Sequence, residues 1–243
     1  MAVYCIADLH LSLGTGAKKS MEVFGKRWEN YEERLKKNWT SLVSPDDTVI
    51  IPGDISWATV LEESAADLHF IDSLPGRKIL GKGNHDFWWS TMKKHREFFE
   101  KEKITTIDFL FNNAIELDDF IVAGSRGWFS DEDNVTLPND PDFEKINARE
   151  LSRMKLSLDC AAAIKRNSPE KEIVVFTHFP VVWGDEENKP FTELIRAYGV
   201  KRVYFGHIHG AAAVEDPIRI GDLECRLIAA DAIGFLPKYV PKL

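Results

Sequence analysis

Five of the seven histidines in this chain, His10, His85, His178, His207 and His209, stand immediately after short apolar runs. Asp8, Asp54 and Asn84 occupy the same kind of position. An imidazole can ligate a metal or pass a proton, a carboxylate can ligate or orient, and an amide oxygen can complete a coordination shell. Any one of them alone reads more simply as a structural group, since Asp-x-His and Gly-Asp are common pairs. Together they are hard to explain as packing, because converging carboxylates and imidazoles are costly to bury unless something positive holds them. A metal centre is the simplest reading. The seven potential ligands (Asp8, His10, Asp54, Asn84, His178, His207 and His209) exceed what one tetrahedral site uses, so the count points to two ions. Mixed imidazole and carboxylate ligation suits Mn²⁺, Fe, Co²⁺ or Zn²⁺ better than Ca²⁺. Two such ions, roughly 3.5–4 Å apart, can clamp a phosphoryl group, and the chemistry expected is hydrolysis of phosphate esters.

Residues of this kind need strand ends to bring them together. Val3–Ala7, Thr48–Pro52, Lys78–Gly81, Ile173–Phe176 and Arg202–Phe205 read as buried strands, each ending just before one of the polar groups. Between them lie helical patterns. Met21, Phe24, Trp28, Tyr31, Leu35, Trp39 and Leu42 recur at three- and four-residue steps, which predicts one amphipathic helix with an aromatic buried face. Further helices are expected over 59–73, from about Trp89 through Phe99, over 143–166 and over 191–198. The alternation predicts a layered α/β fold with a parallel sheet, whose strand C-termini are where ligands bind. Ile104–Phe111 and Ala114–Gly124 read as a hairpin joined at Asn112-Asn113. The tail from Ala211 to Phe235 reads as antiparallel strands. The acidic stretches 128–141 and 184–190 read as loops, either lids or plain connections. With no internal repeat and no long linker, residues 1–243 are expected to form one domain.

Composition narrows the partners. The net charge is −8, with no basic run, which argues against a nucleic-acid partner. A small phosphorylated substrate, nucleotides among the candidates, is compatible with that charge if a metal neutralises it locally. The three cysteines (Cys5, Cys160, Cys225) are far apart and lack CxxC spacing, and read as reduced core residues of a cytoplasmic protein. Neither a signal peptide nor a membrane span is expected.

The ordered set Asp8-x-His10, Gly53-Asp54, Gly83-Asn84-His85-Asp86, His178 and Gly206-His207-x-His209 closely resembles the calcineurin-like metallophosphoesterase superfamily, over residues 8 to 210. The resemblance implies a four-layer α/β/β/α sandwich of two mixed sheets flanked by helices, where the residue patterns alone predict only a layered sheet. It implies two divalent transition-metal ions, one held by Asp8, His10 and His209, the other by Asn84, His178 and His207, with Asp54 bridging. It further implies a metal-bridging hydroxide as nucleophile, His85 as general acid and Asp86 holding the His85 ring. Lys82 and Arg126 are candidates for substrate phosphate, although no motif carries that role. One of Trp57, Trp88, Trp89, Trp128 and Trp183, all near motifs, could stack on a base.

Departures from the family refine the expectation. Ile55-Ser56-Trp57 and Asp86 stand where the protein-phosphatase branch has an Asp-Arg-Gly continuation and a Glu. No second large domain or DNA-binding segment of the nucleotidase or nuclease branches is evident. A small-molecule phosphodiesterase is favoured, with a phosphomonoesterase as the alternative. A catalytically silent scaffold or a mononuclear metal sensor is disfavoured, because every ligand and His85 are present.

Overall fold

The computed structural model describes residues 1–15, 20–128, 143–184, 186–210 and 216–242. Two large mixed sheets face each other with helices outside both, the architecture that the resemblance implied. In the first sheet, β1 (Val3–Cys5), β2 (Thr48–Ile51), β3 (Arg77–Leu80) and β4 (Ile107–Phe109) run parallel. A late strand near the C-terminus, Lys238–Tyr239, closes the β1 edge antiparallel. The second sheet is built on β6 (Phe120–Ser125), β7 (Glu172–Thr177), β10 (Arg202–Phe205) and β12 (Leu223–Leu227), again parallel. Antiparallel β5 (Ile115–Glu116) and β11 (Ile218–Ile220) flank it. A small hairpin, β8 (Val182–Trp183) with β9 (Glu186–Glu187), lies apart, and Lys238–Tyr239 is β13.

Three apolar layers hold this together. Val3, Cys5, Ile50, Ile79, Val122, Val174, Phe176 and Tyr204 fill the space between the sheets, which is why these strands are apolar on both faces. Outside the first sheet, α1 (Tyr31–Leu42), α2 (Ala65–Ser73) and α3 (Met92–Glu102) bury Tyr31, Leu35, Trp39, Leu68, Ile71 and Phe99. Outside the second, α4 (Phe143–Lys165) and α5 (Lys189–Ala197) bury Met154, Leu158, Phe191 and Ile195. The sheets are joined beside the site by a parallel bridge between Ala7 and Ala229. There Ala7 N–H donates to Ile228 O at 2.8 Å and Ala230 N–H to Ala7 O at 2.9 Å.

Four expectations need correction. The long aromatic helix is interrupted: two 3-10 turns, Met21–Phe24 and Lys26–Trp28, precede α1. The breaks fall at Gly25 (φ 107°) and Asn30 (φ 49°), backbone conformations no helix contains. Met21 and Trp28 stay buried, but Phe24 is turned outward and is 66% exposed. Asn112-Asn113 joins no hairpin: β4 belongs to the first sheet and β5 to the second, so the chain crosses between sheets there. Asn113 stabilises the crossing by accepting from Phe111 N–H at 2.7 Å and donating to Phe109 O at 3.1 Å. Within the tail, β11 and β12 are antiparallel as expected, but β12 runs parallel to β10. Finally, Cys5 and Cys225 are buried whereas Cys160 is exposed on α4. The stretch 129–142, most of the first acidic loop, lies outside the described residues, as do residue 185 of the second and 211–215 of the tail. No helix among the described residues is long and apolar enough to cross a membrane.

Candidate active site

All seven expected ligands converge beyond the C-terminal ends of the strands, delivered by β1, β2 and β3 of one sheet and β7 and β10 of the other. The loop after β1 is zipped to the loop after β2: Asp8 N–H donates to Gly53 O at 3.0 Å and His10 N–H to Asp54 O at 2.9 Å. Tyr31 of α1 ties the first loop to the helical layer by donating its hydroxyl to His10 O at 2.9 Å. Asp8 (φ 60°), His10 (φ 46°), Asp54 (φ 52°) and His207 (φ 69°) all adopt left-handed backbone. Non-glycine residues rarely hold that conformation, and such strain concentrates at functional sites.

The two central carboxylates are held alike. His207 N–H donates to both oxygens of Asp8 at 2.9 and 3.1 Å, and His85 N–H donates to Asp54 Oδ1 at 2.8 Å. The motif glycines make this approach possible. A Cβ on Gly206 would lie 2.3 Å from Asp8 Oδ2, and one on Gly83 would lie 2.1 Å from Asp54 Oδ1.

Side-chain geometry divides the ligands into two groups that meet at Asp54. Asp8, His10 and His209 bring one ligand atom each within 4.8 Å of one another. The Nε2 atoms of His10 and His209 are 3.1 Å apart. On the other side, Asn84 Oδ1 lies 2.6 Å from His178 Nε2 and 3.0 Å from His207 Nδ1. Asp54 Oδ2 faces both groups, 3.6 Å from His10 Nε2 and 3.4 Å from His178 Nε2.

These residues fit metal ions on their own chemistry. Asp8, His10, Asp54 and His178 are buried, and the Nε2 atoms of both histidine rings face carboxylate, amide or imidazole atoms of the other candidates. Burial, then repulsion from Asp54, drives the Asp8 carboxyl well above the usual range, and burial followed by Asp86 does the same for Asp54. Burial and neighbouring imidazoles hold His10 and His178 well below theirs, and His207 is brought down to about 4. Carboxylates pushed to bind protons beside imidazoles pushed to shed them describe a cavity that lacks positive charge. A cation bound there stabilises both the carboxylate anions and the neutral rings at once.

His85 sits at the rim, half-buried, its ring 4.6 Å from that of Trp57 and 5.5 Å from that of His10. Asp86 does not hold this ring, contrary to the expectation. Its carboxylate accepts from Asp54 N–H, Ile55 N–H, Ser56 N–H and Gly83 N–H at 2.8–3.3 Å, and from Trp88 Nε1–H at 2.9 Å. Asp86 therefore buckles the loop after β2 to the loop after β3. The carboxylate turns inward because buried backbone N–H groups there have no other partner.

Two residues that the motifs do not include complete the surroundings. Asp231, after β12, accepts from Gly210 N–H at 2.9 Å and lies 2.9 Å from His209 Nδ1 through its other oxygen. Its position after the apolar run Leu227–Ala230 is the same strand-end signal that marks the other carboxylates. The second is Glu150, fully buried on α4, which pairs with Arg126 at 3.3 Å and Arg153 at 2.7 Å. Arg126 lies level with His178, whose N–H donates to Arg126 O at 3.1 Å, and its guanidinium covers Trp128 at 4.5 Å. Nearby, half-buried Lys82 has no hydrogen-bond partner among the described residues, and burial followed by repulsion from Arg126 lowers its pKa. Of the tryptophans near motifs, Trp57 borders the site, stacked on His10 at 4.9 Å, whereas Trp88 is buried in the core.

Comparison with known proteins agrees with this geometry. The family model described as calcineurin-like phosphoesterase matches residues 1–211. Gene 66 protein of Mycobacterium phage L5 is 42% identical over 82 residues, 33% of this chain and 37% of that protein. The match thus spans little more than a third of that relative. Among solved structures, the phosphopantetheinyl hydrolase of Mycobacterium tuberculosis superposes with a TM-score of 0.52 at 12% identity, covering 98% of this chain and 95% of that one. TT1561 of Thermus thermophilus superposes with a TM-score of 0.55 at 10% identity, covering 95% and 89%. At such identities the likeness is one of fold.

Proposed function

The chain belongs to the calcineurin-like phosphoesterase family, and we propose that it is a metal-dependent phosphoesterase that hydrolyses a phosphodiester of a small molecule at a dinuclear centre. Asp8, His10 and His209 would hold one ion and Asn84, His178 and His207 the other, with Asp54 placed to serve both. The observation that carries this reading is Asp54 Oδ2, within 3.6 Å of His10 Nε2 and 3.4 Å of His178 Nε2, one ring from each group. When bound, the two ions, Mn, Fe, Zn or Co, supply Lewis acidity and make water a competent nucleophile at neutral pH.

The chain's own groups do the rest. His85 donates a proton to the departing oxygen. Burial and the nearby His209 favour its neutral form, and an arriving phosphate anion acts in the opposite direction by favouring the imidazolium. Tying His85 N–H to Asp54 fixes the acid relative to the shared carboxylate. Lys82 and Arg126 flank the Asn84–His178 side and meet the non-departing part of the substrate. An aromatic cleft opens on the His10–His209 side. Two unlike flanks about one phosphorus suit a diester, which carries two organic arms, better than a monoester. The fold relative named phosphopantetheinyl hydrolase places phosphopantetheinyl compounds beside nucleotides in the panel to be tried.

The test is hydrolysis of bis-p-nitrophenyl phosphate and p-nitrophenyl phosphate by metal-stripped protein refilled with Mn²⁺, Fe²⁺, Co²⁺ or Zn²⁺, with His85→Ala as control. Faster diester cleavage, crippled in the control, supports the proposal. Faster monoester cleavage makes the protein a phosphatase instead.

A further inference from the structure

We propose that the cleft beside His85 seats the departing alcohol of the substrate and selects an uncharged, apolar group there. The inference rests on the proposed phosphodiesterase reading and adds a substrate class to it. The cleft encloses about 540 Å³, and His10, His85 and His209 form its inner end. A group bonded to the oxygen that His85 protonates has this space directly ahead of it.

The remaining apolar walls are Met21, Phe24, Trp28 and Trp57. Trp28 and Met21 are buried, but Phe24 is 66% exposed and its neighbour Val23 is 80% exposed. The break in the aromatic helix at Gly25 belongs to the turn that holds Phe24 out over the cleft rather than in the core. Apolar surface left in water at the mouth of a site is surface that a ligand can cover favourably.

Charge decides between an apolar and an anionic occupant. Among the described residues, the charged side chains lining the cleft, apart from the histidines, are Arg27 and Asp231, and they are paired at 3.3 Å. Asp231 is also engaged by His209 and Gly210. An anionic leaving group would have to share the Arg27 guanidinium with Asp231 and lie beside that carboxylate. A neutral apolar group has no such penalty. The cations Lys82 and Arg126 serve the opposite flank, around Asn84 and His178.

The test uses metal-loaded protein and methyl 4-alkylphenyl phosphates with methyl, propyl and pentyl chains. Their phenols depart with nearly constant acidity while the chain grows. In the wild type kcat/KM is expected to rise about threefold per methylene until the cleft is filled. The 4-(2-carboxyethyl)phenyl ester is expected to fall at or below the 4-methylphenyl one. In Phe24→Ala, an exposed position that leaves the core intact, the rise is expected to flatten, with a loss in kcat/KM that grows from the 4-methylphenyl to the 4-pentylphenyl ester. A flat series, a preference for the carboxyethyl ester, or an equal loss on every ester in Phe24→Ala overturns the proposal. Calorimetric titration with free 4-pentylphenol separates this inference from the reading beneath it. Binding weakened about fivefold in Phe24→Ala without turnover of any ester retains the cleft and sinks the phosphodiesterase. Absence of binding sinks the cleft even if esters are cleaved.

Discussion

His10 Nε2 and His209 Nε2 lie 3.1 Å apart although 199 residues separate them in the chain. Two neutral imidazole nitrogens at that distance can share one proton at most, whereas a cation between them satisfies both lone pairs. Asp231 stands behind His209 at 2.9 Å and fixes which ring nitrogen faces inward.

Asp231→Asn is therefore expected to weaken binding of one of the two ions by about 10–100-fold while sparing the other. Metal analysis after dialysis against a weak chelator should find about two ions per chain in the wild type and about one in the variant. Saturating metal should also raise thermal stability, by about 2.7 kcal/mol at a hundredfold excess over Kd for a single site, and less in the variant.

Asp86→Asn tests the loop buckle. Asn offers one acceptor oxygen and places an NH₂ where backbone N–H groups point, so several of the bonds to Asp54, Ile55, Ser56, Gly83 and Trp88 are lost or opposed. The expected cost is about 3 kcal/mol or more, seen as a lower denaturant midpoint. Were Asp86 instead the partner of the His85 ring, the substitution would chiefly move the alkaline limb of the pH–rate profile, set by the general acid, and leave stability nearly unchanged.

Gly206→Ala places a methyl group 2.3 Å from Asp8 Oδ2 and 2.6 Å from Ala7 Cβ. Asp8 has to turn away, and its two bonds from His207 N–H go with it. The expected result is protein with native far-ultraviolet circular dichroism and at least tenfold weaker metal binding.

Lys78 carries an alkaline stability signature. Its side chain is buried, and Nζ donates to Asp72 O at 3.2 Å, to Leu74 O and to Thr106 Oγ1 at 2.9 Å, closing the C-terminus of α2. Burial lowers its pKa to about 8. Between that value and an unfolded value of about 10.4, the unfolded chain binds more protons, so this group makes stability rise with pH across the window. The rise amounts to about 3 kcal/mol at most. Burial pushes the Cys5 and Cys225 thiols up, Cys225 to about 12, and above pH 9 they act in the opposite sense. The measurement is accordingly the difference between wild type and Lys78→Met in chemical denaturation at pH 7.5, 9 and 10.5. That difference should shift in favour of the wild type as pH rises.

The convergence of the candidate ligands was legible from sequence because each follows an apolar run, and strand ends are where a layered α/β fold gathers polar side chains. What was hidden depended on backbone conformation or on contacts between distant segments. Gly25 and Asn30 break a flawless helical periodicity by adopting positive φ, which a hydrophobic pattern does not register. Asn112-Asn113 has the composition of a hairpin turn, and only the pairing partners of β4 and β5 send the two segments to different sheets. The role of Asp86 turned on where four unpartnered N–H groups would lie. Asp231 carried the same strand-end signal as Asp8 and Asp54 but fell outside any familiar motif.

The bridge between Ala7 and Ala229 has a consequence for biosynthesis. Asp8 and His10 leave the ribosome early relative to the segment from Ile228 to Asp231 that secures Ala7 and backs His209, which emerges more than two hundred residues later. A nascent chain folds from its N-terminus, yet the pocket stays structurally open until that last segment docks. Ion capture therefore waits until the segment from Ile228 to Asp231 has been made and docked. Shortening the chain from its C-terminal end should leave a product that retains much of its helical and sheet content but scavenges metal poorly.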